Sequence, residues 1–364
     1  MTHTLITDSE TLSRVLERWS SSAVLAVDTE FIRIDTYYPR LCLVQVRDAT
    51  TTALIDATAF DDLSPLFEAL TTAGRLKVFH AAGQDLEIFV HHCGKCPQPL
   101  FDTQIAATLL GYGDQIGYAG LIEKRLGIVL DKSLSRTNWA HRPLKPAELD
   151  YAAADVEHLA AIFPGLRDEL DARDRLAWLA EDCARLCDPA LYHTDPGAAW
   201  QRLRGLAQLS AREQTIAAAL AAWRETEAQQ RNRPRKWILD DEAIYRLAQR
   251  QPQTRRELES LAVLPPKTLA RHGETLLGLI TAASRAPEQI YAREEEPDAA
   301  SKSLLKRLQA IVGARAQALD LPASYLAPKA ELLRLVREGA NAPVNVLRGW
   351  RREVCGSALL EALP

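Results

Sequence analysis

Apolar runs of strand length alternate with helical patterns through the first 170 residues, and after about residue 205 the strand pattern disappears. That change of period excludes a uniform architecture and divides the chain into an α/β part and an all-helical part. In the first part, Thr11 to Trp19 predicts a helix and Val24–Val27 a buried strand. Leu41–Arg47 and Thr52–Ile55 read as strands, Leu63–Leu70 as a helix and Lys77–Phe79 as a strand. Asp85–His91 and Thr103–Leu110 read as helices on either side of the strand-like pair Leu100–Phe101. The first strands are expected to form antiparallel meanders and the later ones to be joined through helices. Leu130–Pro146 is polar, aperiodic and proline-bearing, hence a loop, and Pro146 suits the first turn of a helix holding Tyr151 and Asp155.

At 364 residues the chain exceeds one typical core, so two or three domains are expected. Its N-terminus is polar, without a basic and apolar leader, and no run nears the roughly 18 apolar residues of a membrane span. A cytoplasmic protein without membrane association is the expectation. Six cysteines in this length suit free thiols rather than a disulfide framework. Cys93 and Cys96 make a CxxC preceded by His91 and His92, but no second pair with zinc spacing follows, so the segment reads as a loop between helix and strand. Cys183 and Cys187, four apart, read as small core residues.

Four acids stand where local pattern aims them at one point. Asp28 and Glu30 follow the run AVLAV and lie two apart on a strand, on one face. Asp85 follows the run KVF near a helix start, and Asp155 lies one turn after Tyr151 on a helix, which places the phenol beside the carboxylate. Like charges at contact range raise one another's pKa, so converging carboxylates call for a cation. Hard divalent ions with oxygen ligands, Mg²⁺ foremost, fit them and point to metal-assisted hydrolysis of a phosphodiester. The plainer alternative is an exposed strand end and a solvated helix start, which each segment alone would permit.

The segments VDTEF, FHAAGQDLEIF and YAAADVEHL resemble the three exonuclease motifs of the DEDD superfamily, in the branch with a tyrosine in the third motif. TYYPRLCLVQV, FDTQIAA and LDKSLSRTNWAHRPL extend the likeness to the bacterial ribonuclease D family over essentially the whole chain. The resemblance implies a ribonuclease H-like 3′–5′ exonuclease domain, a mixed sheet flanked by helices, followed by two all-α HRDC-like domains. It implies boundaries at 1–205 for the exonuclease, 206–290 for one HRDC domain, 291–300 for a linker and 301–364 for a second, diverged copy. It further implies two divalent ions, Mg²⁺ or Mn²⁺, held by Asp28, Glu30, Asp85 and Asp155. Asp28 would bridge them, Glu30 and Asp155 would complete the site of the attacking water, and Asp85 would serve the second ion. Tyr151 would orient that water, since a phenol near pKa 10 is a poor base at neutral pH. The implied reaction is 3′–5′ exoribonucleolytic release of nucleoside 5′-monophosphates, on RNA with a free 3′ end such as precursor tRNA trailers, by a monomer. The same chemistry on DNA, and a non-catalytic RNA-binding role on a nuclease scaffold, are the rival readings.

Around these motifs, His80 reads as a core or supporting residue and Asp102 as a helix N-cap. Arg136 and Arg142 suit either a substrate phosphate or the surface, and Gln45 and Tyr38 are undecided as cleft residues. Residues 1–205 carry 20 Lys and Arg against 29 Asp and Glu, and residues 206–364 carry 24 against 19. An acidic half beside a mildly basic one is consistent with metal chemistry in the first and phosphate contact in the second. Arg231, Arg233, Arg235 and Lys236 lie between Trp223 and Trp237, a mixture that suits single-stranded RNA, although both tryptophans could equally be core. Helices are expected from Ser210, over Asp240–Arg250, Thr254–Leu261 and Thr268–Ala283, and again from Ser301 onward in similar order.

Overall fold

Strand β1 (His3–Ile6) and helix α1 (Ser9–Trp19) lead into β2 (Val24–Ile32), β3 (Arg40–Arg47) and β4 (Thr52–Asp56). The computed structural model describes residues 3–131, 133–134, 137–291 and 298–364. After α2 (Ser64–Thr71), β5 (Leu76–Phe79), α3 (Gly83–Cys93) and β6 (Leu100–Asp102) come four helices: α4 (Thr103–Leu109), α5 (Tyr118–Leu126), α6 (Pro146–Ala172) and α7 (Leu176–Leu186). One mixed sheet results, in the order β1-β4-β3-β2-β5-β6. β3 and β4 pair antiparallel, whereas β1 runs parallel to β4 and β5 runs parallel to both β2 and β6. The crossovers follow from α2 and α3, which carry the chain between strands that cannot be joined by a tight turn. β1 and α5 have no counterpart in the sequence-based assignment. The former is a four-residue edge strand, and the latter opens in a glycine-rich segment, so neither presents a long apolar period.

The chain divides by contact into two compact units, and the cuts differ from those drawn on the sequence. One unit takes the described residues within 1–32, 41–192 and 297–364, and the other those within 33–40 and 193–296. Residues 301–364, expected as a separate domain, share their hydrophobic core with the sheet: Leu308, Val312, Leu326, Leu335, Val346 and Trp350 are continuous with Leu25, Phe79 and Leu166. Of the linker expected over 291–300, residues 292–297 lie outside the described residues.

The physical reason for the shared core is visible at α7. Trp350 stacks on Trp178 at 4.4 Å between ring centroids, and its indole donates to Asp182 at 3.2 Å. The Arg351 guanidinium holds the same buried carboxylate through contacts of 2.6 and 3.1 Å, joined by the Tyr325 hydroxyl. Gly349, at φ +46°, lets its backbone come so close to Glu181 that a side chain there would collide with that carboxylate. Small helices with little apolar area of their own gain more by docking on α7 than by standing alone.

The second unit is helical: α8 (Ala211–Gln230), α9 (Arg235–Ile238), α10 (Asp241–Arg250), α11 (Arg255–Ser260) and α12 (Pro266–Arg285). Ser210 caps α8 in a reciprocal box with Glu213, and Asp240 and Thr254 cap α10 and α11. Ala199, Leu203 and Leu206 belong to this unit's core, which moves its start ahead of the expected residue 206. No helix among the described residues is long and apolar enough to cross a membrane.

Candidate active site

β2 lies in the middle of the sheet, and its side chains alternate faces, so Asp28 and Glu30 share one while Thr29 between them takes the other. α6 packs against β2, and its first turns bring Tyr151 and Asp155 over that strand. Pro146 occupies the first turn, where its missing N–H costs nothing, and the Glu148 carboxylate accepts from the Lys145 N–H at 2.8 Å. One carboxylate oxygen from each of Asp28, Glu30 and Asp155 lies within 4.8 Å of the others. Asp85 is not part of that close group. It is buried near the start of α3, electrostatically coupled to Asp28, and accepts a hydrogen bond from the Thr29 hydroxyl.

The electrostatics mark the cluster as incomplete by itself. Burial, and then the neighbouring Asp28, Asp155 and Asp85, push Glu30 up to about 9. Burial followed by Asp28 pushes Asp155 up to about 8, and burial lifts Asp28 to about 6. Asp85 is raised well above its ordinary range, by burial first and Asp28 second. A set of oxygen donors that resists ionising together fits hard divalent cations, whose charge reverses that local cost.

Tyr151 is half-buried, and its hydroxyl donates to the Asp155 carboxylate. Burial, then Asp155, Glu30 and Asp28, drive its pKa upward, so the group remains a phenol through the neutral range. Its ring is tilted beside that of buried Trp139, 6.2 Å away. Two further contacts escaped the sequence reading. The Tyr118 hydroxyl donates to the backbone carbonyl of Asp155, and its ring lies edge-on to His80 at 5.4 Å. Nothing in the local pattern around Tyr118 or Thr29 points to these partners, because each contact joins elements distant in sequence.

Asp102 caps α4 through Gln104 N at 2.8 Å and also accepts from Ala81 N and Ala82 N, at 3.0 and 2.8 Å, where α3 begins. One carboxylate thus braces the helix that carries Asp85. His80 contacts Thr103 Oγ1 through Nδ1 at 3.0 Å. Gln45 is wholly buried on β3 and offers no wall to a cleft.

The weaker substrate candidates fare differently. Arg142, read from the sequence as suiting either a substrate phosphate or the surface, is engaged within the protein: it grips Asp56 with two contacts of 2.5 Å and donates to the carbonyls of Trp139, His141 and Cys42. Asp56 at the end of β4 offers a paired carboxylate geometry that matches the guanidinium fork. Arg136 lies outside the described residues. In the helical unit, Arg231 pairs with Glu227 at 2.5 Å, and Arg235 pairs with fully buried Glu225 at 3.0 Å. Arg233 reaches Asp35 at 3.3 Å and also lies over the Trp237 ring, which is 60% exposed. Lys236 is exposed and forms no ion pair among the described residues. Trp223 is half-buried against His272, so the two tryptophans part company: one packs inside and the other faces solvent.

Comparison with known proteins gives the site a context. A 3′–5′ exonuclease family matches residues 3–171, and an HRDC domain family matches residues 213–280. The chain is 42% identical to ribonuclease D of Zymomonas mobilis over 373 residues, spanning 99% of this chain and 94% of that protein. It is 37% identical to ribonuclease D of Pseudomonas paraeruginosa over 98% of this chain and 96% of that protein. The crystal structure of Escherichia coli RNase D, an exoribonuclease involved in structured RNA processing, matches with a TM-score of 0.90 at 30% identity. That match covers 100% of this chain and 98% of the other.

Proposed function

The chain belongs to the ribonuclease D family, and from that membership we propose that Asp28, Glu30, Asp85, Tyr151 and Asp155 remove nucleotides from the 3′ end of RNA as nucleoside 5′-monophosphates. The observation that carries this reading is the gathering of Asp28, Glu30 and Asp155 oxygens within 4.8 Å, with Asp85 coupled to Asp28 and a phenol on Asp155. The four carboxylates would hold two divalent ions, which when bound supply an activated water and neutralise charge at the departing 3′ oxygen. The protein's own groups do the rest. Tyr151 keeps its proton and orients the attacking water, and its hydrogen bond to Asp155 fixes the direction of that hydroxyl. Thr29 and Asp102 set the position of Asp85, the first through its hydroxyl and the second through the start of α3.

The substrate we propose is RNA with a free 3′ end, in particular precursor tRNA carrying a 3′ trailer. Exposed Trp237 with Arg233 over its ring and Lys236 beside it in sequence supports contact with a single strand, by stacking and backbone charge together. We also read residues 301–364 as a diverged copy of the HRDC fold. Helix α13 (Ala299–Leu319), α14 (Ala323–Leu326) and α15 (Lys329–Glu338) have 21, 4 and 10 residues, against 20, 4 and 10 in α8, α9 and α10. A proline precedes the short helix in both: Pro322 and Pro234.

The decisive test is a product assay on a 3′-extended RNA and its DNA counterpart, with Mg²⁺, with Mn²⁺ and with chelator. Stepwise 3′ shortening of RNA, 5′-monophosphate products and loss of activity in chelator are expected. Shortening from the 5′ end, or full activity in chelator, would overturn the reading.

A further inference from the structure

Every donor of Arg142 is committed to the protein itself. A guanidinium carries five N–H bonds in a rigid plane, and each of the five finds an acceptor here. Nε and Nη2 each reach an oxygen of Asp56 at 2.5 Å, and Nη2 also donates to the Cys42 carbonyl at 2.9 Å. Nη1 donates to the carbonyls of Trp139 and His141 at 2.6 and 2.7 Å. One side chain thus joins β3 through Cys42, the end of β4 through Asp56, and the loop ahead of α6 through Trp139 and His141. The anchor is itself fixed, because buried Asp56 also accepts from the N–H and hydroxyl of Thr58 at 2.9 and 2.7 Å.

The loop that Arg142 holds delivers Trp139 to the start of α6. Trp139 is 2% exposed and shares a small core with Cys42, Leu54, Leu144 and Ala152. Tyr151 packs against that core, with its ring 6.2 Å from the indole and inclined to it by 32°. That separation lies in the range of an aromatic pair. Rotation of a tyrosine ring about its Cβ–Cγ bond has a broad profile, so the helix alone does not fix the ring plane. A phenolic O–H prefers to lie in that plane, and the neighbour that sets the plane therefore also sets where the hydroxyl points. In this site the plane decides how the phenol meets Asp155, four residues further along α6.

We propose that Arg142 is a positioning residue for nucleotide removal, fixing the plane of the Tyr151 ring through Trp139. The inference rests on Tyr151 acting as the orienting phenol. Without the guanidinium, the Trp139 and His141 carbonyls lose its N–H bonds and the Asp56 carboxylate loses its fork, so the loop and its indole are released to shift. A displacement of about 1 Å in a group that orients a reactant can cost up to about 10²-fold in rate. Lysine cannot stand in, since an ammonium has three donors and no planar fork.

The test measures kcat and KM on a 3′-extended RNA with Mg²⁺, and the RNA Kd by anisotropy in chelator, for the wild type, Arg142→Gln, Tyr151→Phe and the double variant. Arg142→Gln should lower kcat by roughly 10-fold while KM and Kd stay within about twofold. When Tyr151 is already Phe, the same change should cost less than about twofold, because the two residues act on one hydroxyl. Arg142→Lys should behave like Arg142→Gln. Trp139→Phe leaves no buried charge unpaired, should show the same dependence on Tyr151, and carries the test if Arg142→Gln folds poorly. Equal losses in the Tyr151 and Phe backgrounds would assign Arg142 and Trp139 to general stability and overturn the proposal. A raised Kd with unchanged kcat would make Arg142 a phosphate contact and overturn it as well. Both of those outcomes leave the role of Tyr151 standing, whereas a Tyr151→Phe rate equal to that of the wild type would overturn the two together.

Discussion

Asp155 is held from two directions, by the Tyr151 hydroxyl on its carboxylate and the Tyr118 hydroxyl on its carbonyl. Asp155→Asn keeps the size of the side chain and removes its charge, so hydrolysis of a 3′-extended RNA should be lost while fluorescence anisotropy still reports RNA binding. Near-normal turnover in that variant would remove Asp155 from the mechanism. Tyr151→Phe keeps the ring and loses the orienting hydroxyl; kcat should fall by roughly 10² with an unchanged melting midpoint. The acids also predict a pH dependence of the metal-free fold. Glu30 at about 9, Asp155 at about 8 and Asp28 at about 6 all lie above the ordinary carboxylate values of 4.5 and 3.8. The folded state therefore binds more protons than the unfolded one between those limits. The stability they contribute is present below about pH 4 and lost as pH rises through 6 to 9. In chelator, melting should occur at lower temperature at pH 9 than at pH 6, and Mg²⁺ should narrow the gap. An equal or higher midpoint at pH 9 would contradict this electrostatic account.

Elements, rather than residues, set how the cluster is aimed. β2 supplies two acids on one face because side chains alternate, α6 supplies a phenol and an acid because residues four apart share a helix face, and α3 supplies Asp85 from a start braced by Asp102. The short helix α9 plays a separate part, since it leaves Trp237 facing solvent after burying Ile238 and Leu239 just beyond it. Trp237→Ala should raise the Kd for single-stranded RNA by roughly 5- to 100-fold, the range expected for one lost base-stacking contact. An unchanged Kd in a titration at fixed salt would assign Trp237 no role in RNA contact. The basic run around it is less available than its composition suggests, because Arg231 and Arg235 are already paired with Glu227 and Glu225.

At the scale of the whole molecule, the C-terminal helices form part of the body that contains the sheet. Their attachment centres on Asp182, a buried carboxylate gripped by Arg351 and capped by the Trp350 indole and the Tyr325 hydroxyl. Asp182→Ala should destabilise this unit by about 3–5 kcal/mol, because it leaves the Arg351 guanidinium buried without its partner. Urea unfolding checks it, and a loss below about 1 kcal/mol would show that stacking of Trp350 on Trp178 dominates the attachment instead.

Local period and residue chemistry were enough to place most elements and to single out the acids. Asp28 with Glu30, and Tyr151 with Asp155, follow from spacings of two and four, which need no knowledge of distant contacts. The caps at Ser210 and Asp102 were legible for the same reason. Tertiary structure alone decided what depends on partners far along the chain: Thr29 on Asp85, Tyr118 on Asp155, Arg142 on Asp56, and the union of residues 298–364 with the sheet. A sequence pattern records which face a side chain takes on its own element. It does not record which buried group from another element will meet that face, and burial together with those neighbouring charges is what raises the acids of this site.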